Sequence, residues 1–298
     1  MPSRHATMSN RKSLSSITAC CLCALIVAGQ GVVHAQERAV VQDEHWAMAP
    51  FLGTGAYSFE DEETVWVFEF SPRWTLRDPA ADGSPARRAG IEFLLPSTVG
   101  LSQFDLDDLG GTLDPDNVAT LSVVPGVYAT LDLDERWTLL GTANLGIGAR
   151  LDGAESALIH RLGLRARYRV GTETRGWKLI AALEHFGYNT DRDRSGRILP
   201  LSLTAEYEHA LAKVAAQLVV HVTATRYLDE ISVSEIGELG ASITQDLEFG
   251  LAYRPAEHLR LWRLSWERVG LAYRRGEGDG DDAGFDGIRL YFRSVFHE

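Results

Sequence analysis

Between Trp46 and Phe296 the chain alternates, in about a dozen short segments, between an apolar residue and one that is polar, charged or small. Val65 to Arg77 shows the pattern: Trp66, Phe68, Phe70, Pro72, Trp74 and Leu76 fall on one side, and Glu69, Ser71, Arg73, Thr75 and Arg77 on the other. Adjacent side chains of an extended chain point to opposite faces, so a period of two predicts strands with one greasy and one wet face. The strands so predicted are Trp46 to Tyr57, Val65 to Arg77, Arg88 to Ser102, Val118 to Leu133, Arg136 to Leu151, Ser156 to Val170, Gly176 to Tyr188, Ile198 to Ala210, Lys213 to Arg226, Glu238 to Tyr253, Trp266 to Arg275 and Asp286 to Phe296. They number twelve, an even count of the kind single-chain bacterial barrels use; Pro255 to Ser265 has room for a further strand.

The apolar faces are continuous enough to lie against lipid. From Arg136 they read Trp137, Leu139, Gly141, Ala143, Leu145, Ile147, Ala149 and Leu151; from Glu238 they read Leu239, Ala241, Ile243, Gln245, Leu247, Phe249, Leu251 and Tyr253. The apolar register is expected to be free of Asp, Glu, Lys and Arg on these strands and on those from Val65, Arg88, Val118, Ser156, Ile198 and Asp286. A charge facing the bilayer midplane costs about 2–4 kcal/mol, so this depletion is what lipid exposure selects. After residue 35 no run of apolar residues is long enough for a membrane-spanning helix, which leaves a closed barrel as the way across. The expected fold is all-β, an antiparallel up-and-down transmembrane β-barrel of about twelve strands. A soluble sandwich is the rival, and it fits so many two-sided strands less well.

Connections and charge give the barrel an orientation. Loops after odd strands are long, whereas those after even strands include the two-residue turns Asp134-Glu135 and Leu211-Ala212, which places the tight turns at the periplasmic rim. Four of the outward loops carry acids alone, among them Glu60 to Glu63, Asp105 to Asp116, Asp229 to Glu235 and Glu277 to Asp282. The lumen register is rich in arginine instead: Arg161, Arg165, Arg167, Arg169, Arg289 and Arg293 face it together with Glu206 and Glu208. Two readings stay open. The inward charges pair and fill a narrow barrel while the acidic loops are simply solvated; or the loops hold divalent cations beside lipopolysaccharide and the arginines bias a water-filled lumen toward anions.

The first 35 residues read as an export signal, with Arg4, Arg11 and Lys12 ahead of an apolar run from Cys20 to Val33 and a Val33-His34-Ala35 end. All three cysteines lie within it, so the exported chain has no thiol chemistry. The net charge of −12 becomes −15 once those three basic residues are removed, which disfavours nucleic acid as a partner. Residues 36–45 form a short leading segment and residues 46–298 one barrel domain.

Candidate chemistry is sparse. Glu-His occurs at Glu44-His45, Glu184-His185, Glu208-His209 and Glu257-His258, but neighbours on a strand point to opposite faces and cannot act as acid–base dyads there. His160 and His209 fall in the apolar register and read as interfacial residues. Outer-membrane phospholipases carry His-x-Ser on one strand, which is absent here, as are G-x-S-x-G, H-E-x-x-H and the phosphate-binding loop. Gly278-Asp279-Gly280-Asp281-Asp282 lacks the distal Glu of a calcium loop. The expectation is no catalytic residue, metal or cofactor.

The stretch from Trp266 to Gly276, with Val269-Gly270-Leu271-Ala272-Tyr273-Arg274-Arg275-Gly276, followed by Gly287-Ile288-Arg289-Leu290-Tyr291-Phe292-Arg293-Ser294-Val295-Phe296, resembles the end of solitary outer-membrane autotransporter-like β-barrels. Phe296 is followed by His297 and Glu298, whereas such barrels end on the aromatic residue that the assembly machinery reads. The resemblance implies a monomeric bacterial outer-membrane barrel like an autotransporter translocator without a passenger, with outer-membrane lipids and the barrel-assembly machinery as partners. Its role would be structural or transport-related, the alternatives being a small anion-leaning porin and an outer-membrane lipid-modifying enzyme.

Overall fold

The computed structural model describes residues 47, 49–59, 64–78, 89–102, 118–151, 155–172, 175–192, 195–211, 215–232, 242–255, 259–261, 264–279 and 284–293. The chain divides into Met1–Ala39, which lies outside the described residues, and Val40–Glu298, which forms a closed barrel of twelve antiparallel strands. They are β1 (Gly55–Phe59), β2 (Thr64–Phe70 and Arg73–Arg77), β3 (Ala89–Leu94 and Ser97–Ser102), β4 (Val118–Val123 and Gly126–Asp132), β5 (Trp137–Arg150), β6 (Ser156–Gly171), β7 (Arg175–Thr190), β8 (Ser195–Ile198 and Pro200–Leu211), β9 (Ala216–Ser232), β10 (Ser242–Pro255), β11 (Val269–Asp279) and β12 (Gly284–Tyr291). Each pairs with its neighbours in sequence. The ring closes where Gly55 to Phe59 of β1 meet Arg289 to Phe285 of β12.

Burial is inverted relative to a soluble protein. Glu206 and Arg268 have no exposed surface, whereas Leu145 and Ile147 are 59% and 68% exposed. On β5, Thr138, Leu140, Thr142 and Asn144 are buried and Leu139, Leu145 and Ile147 stand on the other face. Polar side chains inward and large aliphatic ones outward is the arrangement a barrel adopts when its outer solvent is hydrocarbon.

Prolines shape the wall on one side. β2, β3 and β4 are each interrupted at a proline, Pro72, Pro96 and Pro125, whose ring nitrogen has no hydrogen to give the ladder. Their carbonyls still accept across the gaps, from Leu95 N (3.1 Å), Val124 N (2.9 Å) and Leu145 N (3.0 Å), so the three breaks line up over adjacent strands.

Four expectations are corrected. Trp46 to Tyr57 is not one strand: a single helical turn, α1 (Ala49–Leu52), precedes β1, because Pro50 fits a first helical turn and Gly53, at φ 76°, ends it. Ile243 is 2% exposed, turned inward by a register shift between Ile243 and Gln245. Asp286 lies on the outward register after all, where its carboxylate accepts from the Tyr273 hydroxyl. The stretch after Pro255 makes a two-stranded hairpin of its own (Leu259–Leu261 with Leu264–Trp266), outside the barrel sheet, and β11 starts only at Val269. The acidic loop residues 60–63, 105–116, 235, 281 and 282 lie outside the described residues, whereas Asp229, Glu230, Glu277 and Asp279 belong to strands that run further than the alternation suggested.

Candidate functional site: a plugged and ion-paired lumen

The lumen is filled from above by α1 and across its height by charge pairs. Ala47 joins a buried cluster with Val124, Ile159, Phe186 and Tyr188, and Ala49 another with Tyr57, Val67, Tyr227 and Phe285, so the segment reaches side chains on opposite walls. Phe51 sits against Phe186 of β7 and Tyr227 of β9, with ring centres 5.9 and 6.2 Å away. The Tyr57 hydroxyl donates to Leu52 O at 2.5 Å, capping the turn from the barrel wall. Gly53 is needed on two counts: its left-handed φ, and a Cβ there would lie 2.9 Å from Arg289 Nε.

Three inward carboxylates below α1, Glu184, Asp246 and Glu248, each meet a cation. Glu184 accepts from Arg161 Nη2 at 2.9 Å with both oxygens and from Arg165 Nη2 at 2.7 Å. Room for it comes from Gly163 on β6, where a Cβ would lie 3.1 Å from Glu184 Oε1. Asp246 accepts from Arg274 Nη2 (2.8 Å) and from the Tyr227 hydroxyl, and the same guanidinium lies 5.6 Å from the Phe51 ring centre. Glu248 holds Arg289 at 3.2 Å and His221 at 2.8 Å. Glu184, Asp246, Glu248, their arginine partners and Phe51 line a chamber of about 350 Å³ beneath α1.

Toward the tight-turn end, Glu206 receives Lys178 Nζ at 3.1 Å and Arg268 Nη1 at 2.7 Å, while Glu208 receives Lys178 at 2.5 Å and Arg254 at 3.0 Å. Arg268 comes from the connection before β11, not from a strand, and reaches back into the barrel. Burial disfavours its charge, but Glu206 outweighs that and holds the guanidinium above its ordinary pKa. Arg167 donates to Thr138 Oγ1 (2.9 Å), which donates on to Asp132 (2.8 Å). Arg169 lines a second recess with Lys178, Glu208 and Arg254. Arg293 donates to the Ser71 carbonyl, strapping the end of β12 to the break in β2.

Six of the eight inward charges singled out by alternation therefore enter ion pairs or side-chain hydrogen-bond relays: Arg161, Arg165, Arg167, Arg289, Glu206 and Glu208. Sequence reasoning missed Arg268, α1 and the Tyr227–Asp246–Arg274 relay. Only Pro50 and Gly53 could have signalled α1, and nothing local marks Arg268. The Glu-His neighbours split as strand geometry requires: Glu184 points in, while His185 stacks outside on His160 with ring centres 5.3 Å apart. No group of three or more His, Cys, Asp or Glu placed to hold a metal occurs among the described residues.

No protein-family model and no curated protein matches this sequence. Among solved structures, the translocator domain of autotransporter NalP from Neisseria meningitidis is similar over 94% of this chain and 95% of that one, with a TM-score of 0.50 at 12% identity. The chain has the fold of that translocator domain, a closed twelve-stranded antiparallel β-barrel.

Proposed function

We propose that this protein is a monomeric integral barrel of a bacterial outer membrane, resembling an autotransporter translocator without a passenger rather than a porin, with the helical turn that precedes β1 held in its lumen. The observation that carries the reading is the inverted burial: exposed Leu145, Ile147, Leu162 and Phe249 surround buried Glu206, Glu208 and Arg274. Water offers no reason for that inversion, whereas a bilayer does. Heat-modifiable migration of the protein from an outer-membrane fraction is expected; unchanged mobility on boiling, with recovery in the soluble periplasm, would overturn the reading.

An anion-leaning porin is the second reading, since arginine is abundant in the lumen. The ion pairs on Glu184, Glu206 and Glu248 and the presence of Phe51 across the bore favour a plugged barrel. Planar bilayers should therefore show conductance no greater than a protein-free control, and a stable anion-selective current would reverse the order of the two readings. Lipopolysaccharide and the assembly machinery are its expected partners, and no catalytic role is assigned.

A further inference from the structure

The rim with the tight turns carries the same side-chain arrangement twice. In the turn between β4 and β5, Asp134 Oδ1 accepts from the backbone N–H groups of Arg136 and Trp137, both at 2.7 Å, fixing where the arginine leaves the chain. Arg136 Nη1 donates to the Tyr168 hydroxyl at 3.4 Å, and the rings of Trp137 and Tyr168, opposite each other on β5 and β6, lie with centres 4.7 Å apart. In the turn between β6 and β7, Thr172 Oγ1 accepts from Arg175 N at 3.2 Å, Arg175 Nε donates to the Tyr207 hydroxyl at 2.8 Å, and Trp177 lies 4.8 Å from Tyr207, its partner on β8. Both arginines are exposed, and the aromatic residues stand on the outward face, with Trp177 50% exposed.

Between the two clusters the outward surface is apolar. Val170 is opposite Trp177 and Leu179 opposite Tyr168, and both are more than two-fifths exposed. Trp137 and Trp177 stand on strands two apart, roughly 10 Å across the sheet, and two residues, roughly 7 Å, apart along it. Each phenol holds its guanidinium at the junction of apolar wall and water while leaving other N–H donors for an oxyanion. Each indole N–H adds a donor at the same level, as aromatic residues do at a membrane interface. Asp134 and Glu135 moderate the charge near Arg136, so the pair favours a ligand that engages both clusters over one that needs a strong field at either.

We propose that Arg136–Trp137–Tyr168 and Arg175–Trp177–Tyr207 together bind one glycerophospholipid that carries two phosphodiesters in its head group, one phosphate at each arginine and acyl chains over Val170 and Leu179. This rests on the membrane reading given above. The site is on the outside of the barrel, and of its residues Thr172 and Trp177 also border the second recess at the tight-turn end.

The test is lipid binding to the full chain folded in neutral detergent micelles, followed by native mass spectrometry with cardiolipin, phosphatidylglycerol and phosphatidylcholine. Cardiolipin should bind tightest. Arg136→Gln and Arg175→Gln should each weaken it about fivefold, toward the phosphatidylglycerol level, with far less effect on the single-phosphate lipids. Tyr168→Phe and Tyr207→Phe keep the ring and remove the hydroxyl that positions each arginine, and should lose part of the preference. Equal affinity for the three lipids, or cardiolipin binding indifferent to both arginine substitutions, overturns the proposal. Equal losses for cardiolipin and phosphatidylglycerol would mean two separate one-phosphate sites and also overturn it. Heat-modifiable migration is read on the same samples: if it persists while binding fails, the site alone is wrong, and if the wild-type chain shows none, the membrane reading falls and the lipid site with it.

Discussion

Glu206 has no exposed surface, and its ionised form is tolerable there only because Arg268 and Lys178 both reach it. Arg268→Ala leaves that carboxylate half-compensated in a dry site, a change expected to cost about 3–5 kcal/mol. The temperature at which the folded band disappears on a gel should drop sharply, and Arg268→Lys should recover part of the loss. Glycines make an independent test. A Cβ at Gly146 would lie 2.1 Å from the Val123 carbonyl oxygen, so Gly146→Ala must push β4 from β5, at a cost of about 1–3 kcal/mol. At Gly141 the nearest atom is 4.0 Å away, and Gly141→Ala should stay within about 0.5 kcal/mol of wild type in a urea titration. This contrast was invisible in the sequence, where both glycines are small residues of one strand. Alternation tells which face a residue takes, but which atom faces it depends on cross-strand register.

α1 shows where periodicity misleads. Residues 47–52, Ala-Met-Ala-Pro-Phe-Leu, are apolar throughout and continue into the alternating Thr54 to Tyr57, so they read as the start of a strand, and only Pro50 and the left-handed Gly53 argue otherwise. Deleting residues 47–52 should turn a silent barrel into a conducting one in planar bilayers; no current from a variant that still migrates as a folded band would mean the lumen is closed by other residues. The long strands were legible for a physical reason: the outward face of β5, β6 and β7 carries apolar residues over a long run, so the signal accumulates. The proline breaks in β2 to β4 leave that face intact and were therefore read as uninterrupted strand. Amide hydrogen exchange in micelles should be faster at residues flanking Pro72, Pro96 and Pro125 than in the centres of β6 and β7, where the ladder runs unbroken. Uniform protection around the ring would show that the breaks carry no energetic weight.

At the scale of the whole molecule, the inverted burial sets two unlike surfaces together: an apolar outward face, which the proposed bilayer would receive, and charges that satisfy one another within. The signature of the first, an outward register nearly free of charge apart from Asp286, was readable with no knowledge of partners. The second was not, because Glu184 finds Arg161 and Arg165 only once β6 and β7 are in register, and Arg268 arrives from a connection with no periodicity at all.

The joint between β1 and β12 is five residues long and joins positions as distant in the chain as Gly55 and Arg289. Every other pairing links strands that follow each other, so hairpins can form one after another with little loop entropy to overcome. The joint is different: it waits for the last strand, and until then both borders of the sheet carry unmet amides. Ring closure, and with it the seating of Phe51 against Arg274, therefore needs the last strand in place, and a chain ended before Gly284 should give no folded band on a gel.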